Sequence, residues 1–421
     1  MHPSELWRVE MRKAAFSLTT VCFILVLVIL VAASLPSWAQ QEPSQQDLNQ
    51  QLLNRIQELE KRVQALKVQP PTAAAPAPAP EPVPVAEPPE VNEVSPRLKL
   101  NFFGDVGYQT GRFYSPTSTF EIGEFDLFAT ARLSDHVSTL GEVLFTTNAD
   151  NTIGVDVERL LLKYRPNDYF TASIGRIHTA IGYYNTAYHR GDYFQTSIGR
   201  PAMYEFDDQG GFLPMQDLGI VLEGKIPSGK AGLNYVFEVT NGRAYGAGVQ
   251  PAQNSFDGNN SKAVNVNISA KPEKVPGLDV GFSVRHDYLT DVHNLQVSET
   301  IPVVYAVYNN SKYEWLNEAL MVRHVVPSGT VSTTTGFYSL VSRKFGDFRP
   351  YFLYSYVNAP LDDPILGDAT EMPIVGRING PSIGLRYDFN PHADVKVQYQ
   401  REDAAGDQPV NGAAVQFAFT F

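Results

Sequence analysis

From Leu98 to Phe421 the chain alternates apolar and polar residues with a period of two, and this regularity constrains the fold more than any other feature. Leu218, Ile220 and Leu222 alternate with Gly219, Val221 and Glu223. Val264, Val266 and Ile268 alternate with Asn265, Asn267 and Ser269. Val280, Phe282 and Val284 alternate with Gly281, Ser283 and Arg285, and Val395, Val397 and Tyr399 with Lys396, Gln398 and Gln400. Successive side chains of a strand point to opposite faces, so each segment has one apolar face. A soluble sandwich gives the same alternation, and the connections decide between the two. Tight turns at Ser134-Asp135, Pro166-Asn167-Asp168, Ser228-Gly229, Pro276-Gly277, Asn309-Asn310, Gly346-Asp347 and Asn390-Pro391 alternate with longer loops near 112–118, 147–153, 180–216, 242–261, 290–301, 325–332, 357–376 and 402–412. Seven turns and eight loops join sixteen strands, and an even count puts both ends on the short-turn side, as in transmembrane barrels. Aromatics beside the turns (Tyr164, Tyr169 and Phe170; Phe345 and Phe348; Tyr387 and Phe389) suit an interfacial girdle. The last segment, Val415 to Phe421, carries an aromatic face ending in Phe421. The expected class is all-β: a transmembrane antiparallel β-barrel of about sixteen strands over residues 97–421.

The amino-terminal part is written differently. Arg8, Arg12 and Lys13 precede the apolar run Val21–Ala33 and a small-x-small site, Ser37-Trp38-Ala39, so residues 1–39 read as a signal peptide, with Met1 or Met11 as the start. The run is shorter than the 18 or more residues of a membrane span. Cleavage after Ala39 removes Cys22, the single cysteine, which excludes disulfides and thiolate metal sites from the mature chain. Residues 1–39 carry Glu5 and Glu10 against Arg8, Arg12 and Lys13, so their loss takes the formal charge from −12 to −13. An acidic chain with no basic cluster argues against nucleic acid as a partner. Residues 40–68 hold Leu52, Ile56, Leu59, Val63 and Leu66 at coiled-coil spacing, with Asn49 as a polar a position. β-branched Ile56 and Val63 at a favour two strands, whereas Arg55-Ile56-Gln57-Glu58-Leu59-Glu60 resembles a trimerisation motif. Residues 69–96 contain ten prolines and read as an extended polyproline II linker.

The longest interruption of the alternation, Thr179–Gln216, is the candidate functional segment. A loop of that length inside a compact domain is usually functional, and it is expected to fold into the barrel mouth and narrow the pore. Its ionisable residues, His189, Arg190, Asp192, Arg200, Glu205, Asp207 and Asp208, are the candidate constriction and solute-binding set. Alternation assigns Glu124, Asp126, Glu142, Glu158, Glu223, Glu238 and Asp287 to the lumen, with Lys225, Arg285, Arg349, Arg386 and Lys396 as the basic side. A mixed lining keeps a channel wet and sets a transverse field. A bulge at Gly123 or Gly175 would exchange the faces there. The histidines are scattered, no serine sits in a nucleophile signature, and no metal-ligand spacing occurs, so neither catalysis, a metal nor a cofactor is expected.

The aromatic last strand resembles the assembly signal of bacterial outer-membrane proteins. Leader, coiled coil, Pro-rich spacer and barrel together resemble trimeric porins, particularly coiled-coil-bearing ones such as the DcaP-like group, and more distantly the phosphate-selective porin superfamily. The resemblance implies a homotrimer among outer-membrane lipid, passive diffusion of small hydrophilic solutes, and a third long loop folded inward as the constriction. That loop is Thr179–Gln216 here. The arginine ladder of polyphosphate-type porins is missing from this chain. The other classes are a tether, with the arm in the periplasm touching the cell wall, and a barrel hydrolase. Because the arm adds nothing to the strand pattern, deletion of Gln40–Pro96 is expected to leave an assembled barrel. Heat-modifiable gel mobility of the deleted protein checks this, and loss of the fast-migrating folded form would refute it.

Overall fold

The computed structural model describes residues 97–111, 117–148, 151–188, 195–205, 211–243, 256, 257, 259–290, 295–366, 376–405 and 408–421. The signal, coiled coil and linker expected over 1–96 lie outside the described residues. The rest is sixteen strands in one closed antiparallel ring. In chain order they are β1 (Arg97–Thr110), β2 (Thr119–Arg132), β3 (Val137–Thr147), β4 (Ile153–Asn167), β5 (Phe170–His178), β6 (Gln216–Lys225), β7 (Leu233–Thr240), β8 (Ala263–Ala270), β9 (Leu278–Thr290), β10 (Gln296–Asn309), β11 (Tyr313–Val325), β12 (Val331–Arg343), β13 (Phe348–Ala359), β14 (Gly376–Asn390), β15 (Ala393–Ala404) and β16 (Val410–Thr420).

Each strand pairs with its sequence neighbours, and β1 closes on β16, so each strand has a ladder on both sides and no edge is left open. At the seam Phe102 N donates to Phe421 O at 2.9 Å and Phe421 N to Phe102 O at 3.1 Å. On the outer face their rings stack at 4.9 Å, and Phe125 continues the row 5.7 Å from Phe102. Near the short turns, Phe348 and Tyr387 lie 4.7 Å apart and Tyr387 and Phe389 5.2 Å apart, with Tyr164, Tyr169, Phe345 and Trp315 also exposed.

Two connections differ from the sequence reading. The loop expected over 290–301 spans only 291–295, because β10 starts at Gln296 and carries Pro302 within it. Pro302 pairs with Val284 on the β9 side, whereas the β11 ladder steps from Thr300 to Val303. The missing N–H thus falls in a gap of that ladder. The loop expected over 402–412 is likewise shorter, spanning 405–409.

Both glycines that cast doubt on the facing mark irregularities, of different kinds. At Gly123 the β1–β2 ladder shifts register between Gly104 and Val106, so Gly123 and Glu124 form a bulge opposite Asp105, whose carboxylate accepts the Glu124 N–H at 2.7 Å. At Gly175 the ladders to β4 and β6 run through without a shift. Its φ of +137° instead ends the alternation, and Arg176 and Ile177 are both buried. A third irregularity, in β4, inserts Glu158 opposite the Glu142–Val143 step.

The lumen is lined differently on its two sides. On β10 to β13 the inward residues include Val303, Val307, Leu316, Leu320, Val322, Leu340, Leu353 and Val357, all buried. The outward residues Val304, Trp315, Met321, Phe337, Val341 and Phe352 are exposed. Both faces of this sector are therefore apolar.

A side chain at 175 would press its Cβ into the Leu160 carbonyl on a backbone that L residues rarely adopt. Gly175→Val is expected to destabilise the barrel by about 1–3 kcal/mol, read as a lower urea midpoint for loss of the fast-migrating form. An unchanged midpoint would contradict this account of Gly175.

Candidate functional site

The connection from β5 to β6 covers residues 179–215, and its described parts lie inside the barrel. Its two ends are tied together: Thr179 Oγ1 donates to Pro214 O at 2.6 Å, and the Asn185 side-chain amide donates to Thr179 O at 2.9 Å and Met215 O at 2.8 Å. From there it crosses the lumen from wall to wall. Ala180 N donates to Glu238 Oε1 of β7 at 2.9 Å, and Gly182 N to Ser283 Oγ of β9 at 3.0 Å. On the opposite side Arg386 of β14 donates to Gln195 O at 3.1 Å. The Gln398 side chain of β15 takes the Ile198 N–H at 3.1 Å and donates back to its carbonyl at 2.8 Å.

Glu318 of β11 is the central anchor. Its carboxylate accepts the N–H groups of Tyr183 (2.7 Å) and Tyr184 (2.9 Å) and the hydroxyls of Tyr204 (2.8 Å) and Tyr338 (2.7 Å). Tyr184 opens the single-turn helix α1 (Tyr184–Ala187), so the first backbone donors of that turn meet a carboxyl group. Gly182, at φ +70°, is required next to this anchor, because a Cβ there would run into the Tyr204 hydroxyl and the Glu318 carboxylate. Glu314, four residues earlier on the same face of β11, accepts from Tyr188 at 3.0 Å and Thr196 at 2.6 Å. Burial and the nearby charge of Glu318 raise the Tyr204 phenol well above its ordinary range, so it remains a donor. Burial, with Asp279 and Glu314 adding to it, raises Tyr183 to about 12.

Apolar packing does the rest. Ile181, Tyr184, Tyr188, Met203, Tyr204, Phe212, Leu213 and Met215 form one buried cluster with the inward residues of β9 to β13. Side chains of this size contribute about 1.5–3 kcal/mol each when fully buried. That burial accounts for the apolar inner face of β10 to β13.

Space remains on both sides of the inserted segment. A cavity of about 690 Å³ toward the long loops is lined by Asp105, Glu121, Glu124, Arg200, Glu205 and Gln416, among others. A second of about 620 Å³ reaches the short turns and includes Arg159, Lys163, Tyr183, Glu223, Lys225 and Asp279. In the second, bases and acids are paired: Lys163 with Glu223 at 3.3 Å, Lys225 with Asp168 at 2.8 Å, and Arg165 with Asp168 at 2.8 Å. The hydrogen bonds from Lys225 and Arg165 hold the Asp168 carboxyl below its usual range.

The expected site residues fall into several groups. His189, Arg190, Asp192, Asp207 and Asp208 lie outside the described residues. Glu205 lines the long-loop cavity. Arg200 borders the same cavity, but its guanidinium turns back into its own segment, donating to Tyr204 O at 2.6 Å and Tyr188 O at 3.1 Å and lying 5.1 Å from the Tyr184 ring. Glu124 lines the long-loop cavity. Asp126, Glu142 and Glu158 are buried and gather with His178 and Arg159, Arg159 being paired with Glu142. Arg285 lies 2.8 Å from Asp217 and 3.5 Å from Asp287 in a closed, buried group. Arg349 lies 3.6 Å from Glu314, Arg386 3.1 Å from Asp394, and Lys396 donates to Gln416 at 3.1 Å. Sequence reasoning missed Glu314, Glu318 and Gln398. The two glutamates share the inner face of β11, but they alternate with Trp315, Asn317 and Ala319 beside Leu316 and Leu320, so period two gives no sign of which face is polar.

No protein-family model matches the chain, and no curated protein matches it by sequence. Solved structures match it in fold. The anion-selective porin from Comamonas acidovorans superposes with a TM-score of 0.55 at 11% identity, over 77% of this chain and 100% of that one. Salmonella typhi OmpF in complex with daunomycin gives 0.54 at 15%, over 77% and 97%. The trimer form of in-vitro folded OmpT, an outer membrane protein of Vibrio cholerae, gives 0.52 at 12%, over 77% and 99%. The fold is the porin fold. At these identities the likeness extends to the fold alone, and in this porin-fold barrel the lumen contents rest on the chain's own residues.

Glu318→Ala would leave two backbone N–H groups and the Tyr338 phenol without their acceptor, and Tyr204 with only the Ile181 carbonyl at 3.3 Å, at about 1–3 kcal/mol for each buried group left unpaired. The inserted segment of this variant is expected to become cleavable by protease in detergent while the barrel stays folded, with Glu318→Gln intermediate. A protease pattern identical to that of the unmodified protein would sink the anchoring role.

Proposed function

We propose that the chain is an outer-membrane porin, through which small hydrophilic solutes diffuse passively past the segment inserted between β5 and β6. One observation carries this reading: the segment is bonded from β7 to β15 across the lumen, with a polar-lined cavity on either side of it. A barrel used only to tether the arm to the cell wall has no need of such cavities, since small barrels fill their interiors with side chains.

The finer reading places the constriction on the inserted segment, with Arg200 and Glu205 at its edge and His189, Arg190, Asp192, Asp207 and Asp208 on the same stretch. Opposed charges act more strongly in a narrow, partly dehydrated throat than at an open surface. Glu124, Asp126, Glu142, Glu158, Arg285, Asp287, Arg349, Arg386 and Lys396 then line or buttress the wall. The trimer form of one fold neighbour and the coiled-coil spacing of residues 40–68 support a homotrimer of the DcaP-like kind, with the arm in the periplasm.

Planar-bilayer recording of the purified protein is expected to show discrete conductance steps. Removal of Gly191–Asp208 is expected to raise the step size, and Asp207→Asn with Asp208→Asn to move the reversal potential toward anions. Absence of steps in the unmodified protein refutes the porin reading, and steps indifferent to the deletion refute the constriction.

A further inference from the structure

One cluster of buried charge lies away from both cavities. His324, on the inner face of β11, is fully buried, and both ring nitrogens meet carboxylates. Nε2 lies 2.9 Å from Glu299 Oε2 of β10, and Nδ1 lies 2.8 Å from Asp363 Oδ1. A ring nitrogen held that close to a carboxylate donates a hydrogen, so the ring carries two and is an imidazolium. Asp363 belongs to the connection between β13 and β14, and the same oxygen also accepts the N–H groups of Ile365 (2.9 Å) and Leu366 (2.8 Å). Ile365 and Leu366 are fully buried in the apolar cluster that holds the inserted segment.

The chain of contacts continues on the other side of the ring. Glu299 lies 3.1 Å from the Arg243 guanidinium, and Arg243, on the connection between β7 and β8, donates to the Phe212 carbonyl of the inserted segment at 2.9 Å. The Arg243 backbone N–H donates to Asp287 at 3.0 Å, and Asp287 leads on to Arg285 and Asp217. Three connections are therefore linked in one chain through His324, Glu299 and Arg243: the stretch 360–366, the β7–β8 connection and the inserted segment.

We propose that Pro360–Leu366 is a strap latched into the barrel by His324, and that its release loosens the inserted segment and widens the passage. The inference adds regulation to the porin reading and rests on it. Removing one member of a buried ionic chain leaves its neighbours charged and uncompensated, so the strap has to leave the interior to bring Asp363 back to water. Rising pH does this by taking the second ring hydrogen and turning one nitrogen into an acceptor facing a carboxylate. Falling pH acts much later. Burial by itself would raise the Asp363 carboxyl, but the hydrogen bond and charge of His324 outweigh it and hold the group below its usual range. Its contribution is present above about 3.9 and is lost only as pH falls below that. The charged groups facing the latch are Glu299 from β10, Asp363 from the strap and Arg243 behind Glu299, with Asp287, Arg285 and Asp217 beyond.

The test uses the full chain with Cys22→Ser and Leu366→Cys, and a membrane-impermeant maleimide as probe. At neutral pH the cysteine is expected to label slowly. Asp363→Asn, which lies outside the ladders, and His324→Gln are each expected to speed labelling about tenfold or more and to raise the bilayer step size, in protein shown to be folded by gel mobility. Fast labelling with the latch intact, or equal rates with and without Asp363→Asn, would overturn the strap. Faster labelling with an unchanged step size would overturn its coupling to the passage. Labelling needs no conductance, so a channel that never conducts refutes the porin reading without touching the strap.

Discussion

A carboxylate buried in a barrel wall must be satisfied from the lumen, because the backbone around it is already committed to the ladders on either side. Glu318 is satisfied by two N–H groups and a hydroxyl from the inserted segment and by a second hydroxyl from β12. Remove the segment and the charge is stranded; remove the charge and the segment loses the point that fixes its depth and direction. The apolar cluster supplies adhesion without direction, since one greasy surface fits another in many ways. Four hydrogen bonds to one carboxylate allow a single arrangement.

That arrangement divides the interior. The segment occupies the side of β10 to β13, whose inner face is largely apolar, and leaves polar-lined space beside β1 to β9 and β14 to β16. The wet part of the lumen is therefore much narrower than a ring of sixteen strands would suggest. It is also bounded on one side by loop, which is easier to vary than ladder.

Much of this was legible in the sequence, in places that can be named. On β6, β8, β9 and β15 one face is the exposed outside of the barrel and the other a polar lumen, and the alternation is clean enough to count strands. On β10 to β12 the inner face meets the inserted segment, so Val303, Leu316 and Leu340 are as apolar as Val304, Trp315 and Val341 on the outside. There the period survives as geometry and disappears as hydropathy, which is why Glu314 and Glu318 were not singled out. Pro302 lies inside β10 although proline argues against a central strand, and its tolerance there depends on a gap in a neighbouring ladder that no local rule reveals. Arg200 was legible as a loop charge, but not as one that turns inward, because its acceptors are backbone carbonyls. His324 looked isolated because its partners are 25 and 39 residues away in the chain.

Distances along the chain also say when the interior can form. The Tyr184 N–H finds Glu318 across 134 residues, and Ile198 finds Gln398 across 200. Contacts of such separation come late, since the loops between must be closed before the contacts return anything. The segment between β5 and β6 is made early and finds its seat only when β11 and β15 are in place. For most of assembly its tyrosines and Met203 have no wall to lie against, and the nascent barrel holds a long sticky tether on its inner side. A loop made early thus settles late, inside a ring drawn up around it.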